Sequence, residues 1–239
     1  ALGASWVLFS QHNTLVTPFY FTVVIVLLYL TQSLQVYLAS EKEKKEVRGA
    51  FGRYLSPVLV EQLANDPDKL KLGGETRQIS ALFCDIRGFT SLSERFAPEE
   101  LTDLLNRFLT PLTEVILNEQ GTIDKYMGDC IMAFWNAPVD VVDHEHRACS
   151  AALKMLDALA ELNETLQREA TASGTSMQEL RIGIGINSGS ALAGNLGSEQ
   201  RFDYSVLGDS VNLASRLEGQ SKAYGVEILL SEATRAAVK

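Results

Sequence analysis

Hydrophobic and polar residues alternate differently in two parts of the chain. Residues 14–39 are largely apolar and uncharged, and this stretch is longer than the roughly 20 residues that a membrane-spanning helix requires. From residue 75 onwards, short apolar runs alternate with stretches in which apolar residues recur at helical spacing. The pattern therefore predicts one transmembrane helix at about residues 14–39 and a folded domain of helices and strands at 75–239.

The residues on either side of the apolar segment predict its location and orientation in the membrane. Residues 1–9 form another apolar stretch, which we interpret as the end of a preceding membrane segment in a longer protein. A signal peptide is the alternative, although the run is long for one and lacks a basic start. The basic residues at 42–48 predict, by the positive-inside rule, that this side faces the cytoplasm. We therefore expect a location at the cell membrane, with residues 1–40 as the membrane region and the folded domain in the cytoplasm.

Residues 41–74 form the predicted linker. They begin with a mixed-charge helical stretch and continue with an amphipathic stretch at 51–63, where Pro57 suits the first turn of a helix. The linker is either a solvated spacer or a helical transducer that passes a shift from the membrane helix to the folded domain. Gly73 and Gly74 break both periodicities and mark the predicted domain boundary.

Composition narrows the class of protein. The 239 residues are 46% hydrophobic, which suits one domain of ordinary size with additional segments. The net charge of −9 argues against a nucleic-acid-binding protein, which usually carries a basic stripe. The three cysteines, Cys84, Cys130 and Cys149, are isolated and odd in number, so we predict reduced thiols.

The order of elements predicts the fold of residues 75–239. Ser80 to Cys84 is an apolar run typical of a strand that is buried on both faces. Helices are predicted at 98–118 and 142–170, and the two histidines at the start of the second, His144 and His146, are interpreted as surface or capping residues because they do not share a helix face. The order strand, helices, hairpin, helix, strand, strand, helix, strand predicts an α/β sandwich with an antiparallel, ferredoxin-like βαββαβ core.

An aspartate and a glycine turn follow the first strand. Asp85 lies at the carboxyl end of that strand, where acidic side chains commonly face a ligand. Gly88 allows the backbone to approach a ligand closely, and the helix predicted to start at Phe89 and Thr90 offers N–H groups to phosphate. On its own, Asp85 is also explained as a helix-capping residue in a tight turn.

A second aspartate changes this interpretation. Two apolar runs flank Gly128 and Asp129, which predicts a β-hairpin with these two residues as its turn. If the hairpin lies beside the first strand, Asp85 and Asp129 converge, and with the backbone carbonyl of Ile86 they form a hard oxygen site for Mg²⁺ or Mn²⁺. Because Mg²⁺ usually binds one or two carboxylates together with substrate phosphates, the pair predicts a nucleoside triphosphate as substrate.

Two further stretches, at 183–189 and 202–218, complete a family pattern. Together with the two aspartate motifs, they resemble the catalytic domain of class III nucleotidyl cyclases over roughly residues 76–239. The resemblance implies that Asp85 and Asp129 hold two divalent ions per site, one activating the ribose 3′-hydroxyl and one neutralising the triphosphate. It also implies an in-line attack of that hydroxyl on the α-phosphorus, with pyrophosphate leaving.

The resemblance also assigns the substrate-binding residues. Arg181 matches an arginine that contacts the terminal phosphates. Asn212 and Arg216 match residues that position the ribose and stabilise charge on the α-phosphate, and their spacing places them on one helix face. Lys125 and Ser205 occupy the positions that select the base; guanine-specific relatives carry glutamate and cysteine there, so Lys125 implies ATP. Ser205 resembles a subgroup with threonine at this position, which makes bicarbonate a candidate effector.

Members of this family build each active site across a head-to-tail dimer, in which the metal-binding aspartates of one chain face the base-selecting and transition-state residues of the other. This chain carries both sets of residues, so it is expected to form a homodimer. The family carries a further phosphate-binding lysine near its C-terminus, and this chain shows no match to it before Lys239, so we expect the catalytic domain to be truncated. The resulting hypothesis is a membrane-anchored adenylate cyclase that makes cyclic AMP. The alternatives are a catalytically silent, nucleotide-binding signalling module and a guanylate cyclase.

Overall fold

The computed structural model describes residues 3, 10, 18–51, 73–198 and 200–239. The chain divides into two compact units, Ala1–Val60 and Glu61–Lys239. The membrane tail predicted at 1–9 and the transducer predicted at 51–63 fall almost wholly outside the described residues. Both therefore stay predictions, as do the predicted domain limits.

In the described part of the first unit, a long helix, α1, spans Pro18–Phe51. Its side chains at 22–38 are all exposed, including the apolar run from Val23 to Leu30. Among the residues that the structure describes, no helix is sufficiently long and apolar to cross a membrane. The transmembrane helix predicted at 14–39 is therefore not supported among the described residues, and its first four positions, 14–17, lie outside them.

The second unit is a sheet flanked by helices. Its elements in chain order are β1 (Gly73–Ile86), α2 (Phe89–Ser93), α3 (Pro98–Asn118), β2 (Thr122–Met127), β3 (Cys130–Trp135), α4 (His144–Ala172), β4 (Ile182–Gly197), β5 (Phe202–Leu207), α5 (Asp209–Tyr224), β6 (Ile228–Leu230) and α6 (Glu232–Ala237). Five strands lie in the order β2-β3-β1-β4-β5 with antiparallel pairing, and β6 pairs in parallel with β4. The predicted α/β sandwich with an antiparallel core is confirmed.

The central part of β1 is buried on both faces, as its unbroken apolar run predicts. Successive side chains of a strand point to opposite faces. Leu82 and Cys84 accordingly pack with α3 and α4 in one cluster, whereas Ala81 and Phe83 pack in a second cluster that includes α5. Helices on both faces therefore shield residues 79–84 of β1 from solvent, whereas its first residues, 73–78, are mostly exposed.

The structure agrees with the predicted bounds of one helix and corrects the interpretation of one glycine pair. Helix α3 begins and ends as predicted, with Pro98 in its first turn. Gly73 and Gly74, which were predicted to break the local periodicity, are the first residues of β1 and pair with Asn195 and Gly194. A Cβ at Gly74 would lie 2.7 Å from the carbonyl oxygen of Ala193, so the glycine permits two strands to approach closely and does not end an element.

The interpretation of His144 as a surface or capping residue is wrong. His144 is the first residue of α4 and is buried, whereas His146 is exposed as predicted. The His144 Nδ1 atom lies 2.9 Å from Ser80 Oγ, and Ser80 Oγ lies 2.7 Å from Ser188 Oγ. This buried polar chain links β1, α4 and β4. Sequence spacing does not reveal it, because its members are far apart along the chain.

We expect His144 to make the fold less stable in acid. Burial lowers the pKa of His144 despite the nearby Glu145 carboxylate. As the pH falls below about 6.5, the His144 imidazole takes up a proton more readily in the unfolded chain than in the folded chain. The free energy of unfolding therefore falls as the pH drops below this value. Denaturant unfolding of His144→Gln should show a weaker dependence on pH between about 5 and 8 than the wild type.

The matched control for this prediction is His146→Gln, two residues along the same helix at an exposed position. It should keep the pH dependence of the wild type. Equal slopes in the two variants would contradict the role assigned to the buried histidine.

Candidate active site

The two predicted carboxylates meet at one end of the sheet. Asp85 is the penultimate residue of β1, and Asp129 lies in the turn between β2 and β3. Because β3 pairs with β1 in a register that places Cys84 opposite Ile131, the turn reaches the end of β1. The backbone N–H of Ile86 donates to Asp129 Oδ2 at 3.1 Å. The structure thus brings Asp85 and Asp129 together as predicted, although the contact made by Ile86 is through its N–H group.

The electrostatics of this pair suit a divalent cation. Burial, a hydrogen bond with Asp85 and the Asp85 charge together raise the pKa of Asp129 to about 7. Two carboxylates held this close resist joint ionisation, and a cation between them removes that resistance. Hard carboxylate oxygens are also the ligands that Mg²⁺ and Mn²⁺ prefer. The residues present therefore fit the predicted ion.

The neighbouring thiols of Cys84 and Cys130 do not add metal ligands to the two aspartates. Burial raises the pKa of the Cys84 thiol, and it raises that of Cys130 to about 12, so both thiols stay protonated. Within the described ranges, no group of three or more His, Cys, Asp or Glu side chains is arranged to hold a metal ion. An ion at Asp85 and Asp129 would need further oxygen ligands, and substrate phosphates are the usual source for Mg²⁺.

Gly88 starts the short helix α2 with a left-handed backbone at φ 73°, which favours glycine. The side chain of Phe89 packs against the core, so a contact from this residue to substrate would be through its backbone. Thr90 is exposed, and its carbonyl accepts from Ser93 Oγ. Contacts from these residues to phosphate stay predictions.

A basic cleft lies beside Gly88. It has a volume of about 580 Å³ and is lined by Arg87, Gly88, Gln178, Glu179, Arg181, Lys222 and Gly225. Arg181 directly precedes β4, as predicted, and its Nη2 lies 3.1 Å from Glu227 Oε1. A larger cleft of about 750 Å³ beside α4 contains none of the predicted site residues.

The sequence interpretation did not single out Arg87 or Lys222. Arg87 Nε donates to the carbonyl of Ile182 at 3.0 Å, and its guanidinium also donates to the carbonyl of Val226. Arg87 thereby ties the end of β1 to the start of β4 and to the segment after α5. Its position between Asp85 and Gly88 is the signal that could have identified it.

The two predicted base-selecting residues are joined by a third residue, Asp124. Lys125 lies on β2 and Ser205 on β5, yet Ser205 Oγ donates to Asp124 Oδ2 at 2.5 Å. The Lys125 Nζ atom lies 3.1 Å from Asp124 Oδ1. The sequence interpretation overlooked Asp124, although an acidic residue directly before the predicted base-selecting lysine was a visible signal.

Helix α5 carries Asn212 and Arg216, which are both exposed on one side of the helix. Among the described residues, neither side chain makes a hydrogen bond or ion pair with Asp85 or Asp129. The inner side of α5 packs closely on β4, where a Cβ at Gly185 would lie 2.1 Å from the backbone N of Glu218 and 2.2 Å from the carbonyl oxygen of Ala214. The glycine therefore sets the position of α5 on the sheet.

We expect Gly185→Ala to destabilise the domain by about 1–3 kcal/mol or more, because an added methyl group meets rigid backbone atoms. Denaturant unfolding measures this effect. Gly219→Ala is the matched control, since Gly219 lies on α5 with no atom within 4 Å of an added Cβ. The control should leave stability unchanged or raise it by up to about 1 kcal/mol. An equal loss in both variants would contradict the close packing of α5.

Comparison with known sequences identifies the same region. Residues 74–239 match the family described as the adenylate and guanylate cyclase catalytic domain. Adenylate cyclase 1 of Rhizobium meliloti (strain 1021) is 40% identical over 163 residues, which is 68% of this chain and 24% of that protein. The chain therefore spans about a quarter of the length of this relative.

Solved structures agree in fold. The guanylyl cyclase Cya2 shares 39% identity at a TM-score of 0.62, covering 70% of this chain and 81% of its own. The adenylyl cyclase CyaB from P. aeruginosa shares 36% identity at a TM-score of 0.61, covering 70% of this chain and 83% of its own. Relatives of nearly equal similarity thus carry the names of enzymes for different nucleotides, so overall similarity does not decide which base this site accepts.

Proposed function

The chain belongs to the adenylate and guanylate cyclase catalytic-domain family, and on this premise we propose that it converts ATP into 3′,5′-cyclic AMP and pyrophosphate. The observation that carries the choice of ATP is the cluster of Lys125 and Ser205 around Asp124. An ammonium donor beside a hydroxyl suits the ring nitrogen and amino group of adenine.

The proposed site holds Mg²⁺ or Mn²⁺ at Asp85 and Asp129, with two ions per site. Such ions supply positive charge that activates the ribose 3′-hydroxyl and neutralises the triphosphate. The two aspartates would hold these ions, whose positive charge would favour the ionised form of Asp129 that burial disfavours. No residue of the chain becomes covalently attached to substrate in this scheme.

The remaining predicted residues hold the substrate. Arg181 at the basic cleft binds the terminal phosphates, where its planar guanidinium suits phosphate oxygens. Asn212 positions the ribose, and Arg216 stabilises the charge that grows on the α-phosphate. Because both lie exposed on α5 and make no hydrogen bond or ion pair with Asp85 or Asp129, we propose that they complete the site of a partner chain in a head-to-tail homodimer.

The location at the cell membrane and an effect of bicarbonate stay predictions from the sequence. Bicarbonate was predicted from Ser205 alone, and the hydroxyl of that residue is already committed to Asp124. The cytoplasm, where ATP is abundant, remains the proposed location of the catalytic domain.

Product formation by the purified chain tests the function. The chain is incubated with ATP or GTP, each with Mg²⁺ or Mn²⁺, over a range of protein concentrations. Cyclic AMP from ATP, formed at a rate that rises more steeply than linearly with protein, is the expected result for a shared-site dimer. Cyclic GMP as the main product would contradict the choice of base. A folded dimer without product from either nucleotide would instead indicate a silent nucleotide-binding module.

A further inference from the structure

Asp124 has an unusual environment for a carboxylate. Its side chain is fully buried, at 0% exposure, although its neighbour Lys125 is 46% exposed. Ser205 Oγ donates to one of its oxygens, Oδ2. The other oxygen, Oδ1, lies 3.1 Å from Lys125 Nζ but has no partner in hydrogen-bond geometry. Burying an oxygen without a hydrogen-bond partner is costly, and such exceptions call for an explanation beyond packing.

The contact between Asp124 and Ser205 determines what the serine can offer to a ligand. A serine hydroxyl has one proton to donate and two lone pairs that accept, whereas an ionised carboxylate only accepts. Because the Ser205 proton is directed to Asp124, the hydroxyl oxygen presents only its lone pairs to a bound base. Lys125 presents only donors. The cluster therefore offers one acceptor next to one donor.

We propose that Asp124 is a positioning residue for nucleotide selection, which orients the Ser205 hydroxyl as an acceptor and holds the Lys125 ammonium beside it. This inference rests on the proposed function and deepens it. A 6-aminopurine matches the cluster, since its amino group donates to Ser205 and its ring N1 accepts from Lys125. A 6-oxopurine does not match, because it sets a carbonyl oxygen against the Ser205 lone pairs and a ring N–H against the ammonium.

A structural latch is the competing explanation, because the same contact joins β2 to β5. The two explanations differ in what the loss of Asp124 changes. A latch affects all nucleotides alike, whereas a positioning residue changes the ratio between them. The ratio is therefore the deciding quantity.

The experiment uses three nucleotides: ATP, GTP and purine riboside triphosphate, which lacks any group at position 6. Each nucleotide is measured on four proteins: the wild type, Asp124→Asn, Ser205→Ala and the double variant. An asparagine amide can donate to Ser205 and release its proton toward the ligand. We expect Asp124→Asn to lower the preference for ATP over each of the other two nucleotides about tenfold, in kcat/KM and in binding measured by calorimetry. The loss of preference in the double variant should be smaller than the sum of the two single losses, expressed as free energies, because Asp124 acts in part through Ser205.

Thr122→Val is the matched control on the same strand. It removes a buried hydrogen bond to the carbonyl of Ala137, away from the cluster, and should keep the nucleotide preference unchanged. If Asp124→Asn weakens binding of all three nucleotides equally and leaves the ratios between them unchanged, Asp124 has only the structural role of joining β2 to β5. Base selection does not require turnover, so binding tests the inference even if no cyclic product forms. If the wild type turns over ATP and Asp124→Asn keeps the wild-type preference for ATP, only this inference is contradicted. If the wild type binds none of the three nucleotides, the proposed function is contradicted too.

Discussion

Asp129→Ala should lower the rate of cyclic AMP formation by about a thousandfold or more, because metal-ion charge contributes several kcal/mol to such reactions and each 1.4 kcal/mol is about tenfold. The variant keeps only one of the two carboxylates that would hold the ions, and Asp85→Ala should have the same effect. Initial rates with saturating ATP and Mg²⁺ or Mn²⁺ measure the loss.

The same substitution should not unfold the domain. Since the pKa of Asp129 is raised to about 7 from an ordinary value of 3.8, its ionisation opposes folding as the pH rises between these values. Removing it should therefore leave the ion-free domain equally stable below a pH of about 4 and more stable above about 7. Thermal unfolding at both ends of this range checks the sign.

Asp103→Ala is a suitable control, since Asp103 is exposed on α3. It should retain the wild-type rate. Near wild-type activity in Asp129→Ala would contradict the metal assignment, and unfolding of that variant above neutral pH would contradict the electrostatic account of the pair.

Arg216→Ala should lower the rate by about 10²–10³-fold, the usual effect of losing one group that stabilises charge in the transition state. Mixing this variant with Asp129→Ala should restore activity. If each site takes its aspartates from one chain and its arginine from the other, every mixed dimer has one intact site and one doubly damaged site. Equal mixing with random exchange then returns about a quarter of the wild-type rate.

The control for complementation is a mixture of Asp85→Ala with Asp129→Ala. Both aspartates lie at the same end of one sheet, so no mixed dimer regains an intact site and activity should stay low. Recovery in this control, or no recovery in the mixture of Asp129→Ala with Arg216→Ala, would contradict the shared-site dimer. A site complete within one chain would then be the better explanation.

Local patterns predicted much of the catalytic unit correctly. The bounds of α3 followed from Pro98 in its first turn and from apolar residues at helical spacing. The two-residue turn at Gly128 and Asp129 followed from two flanking apolar runs, and Gly128 has the positive φ that such a turn favours. These signals are short-range, so neighbouring residues suffice to read them.

Predictions that depended on surroundings fared less well. His144 was interpreted as a surface or capping residue because its spacing from His146 excludes a shared helix face, yet α4 packs its first turn against Ser80. The membrane-spanning helix was predicted from the apolar character of 14–39, and within the described part of the chain no helix of that character is present. Gly73 and Gly74 were taken as a break, although they allow β1 and β4 to pair closely. For His144 and for the glycine pair, the deciding contact comes from a distant segment.

The sequence by itself determined the family, the order of helices and strands, and the identity of Asp85, Asp129, Lys125 and Ser205 as candidate site residues, because their spacing within short motifs is local information. Only the tertiary structure decided that Asp85 and Asp129 share one environment, since strand pairing brings the hairpin turn to the end of β1. It alone also placed Asp124 against Ser205, 81 residues away. Such contacts depend on sheet order and register, which arise from packing of the whole domain and not from any one stretch of sequence.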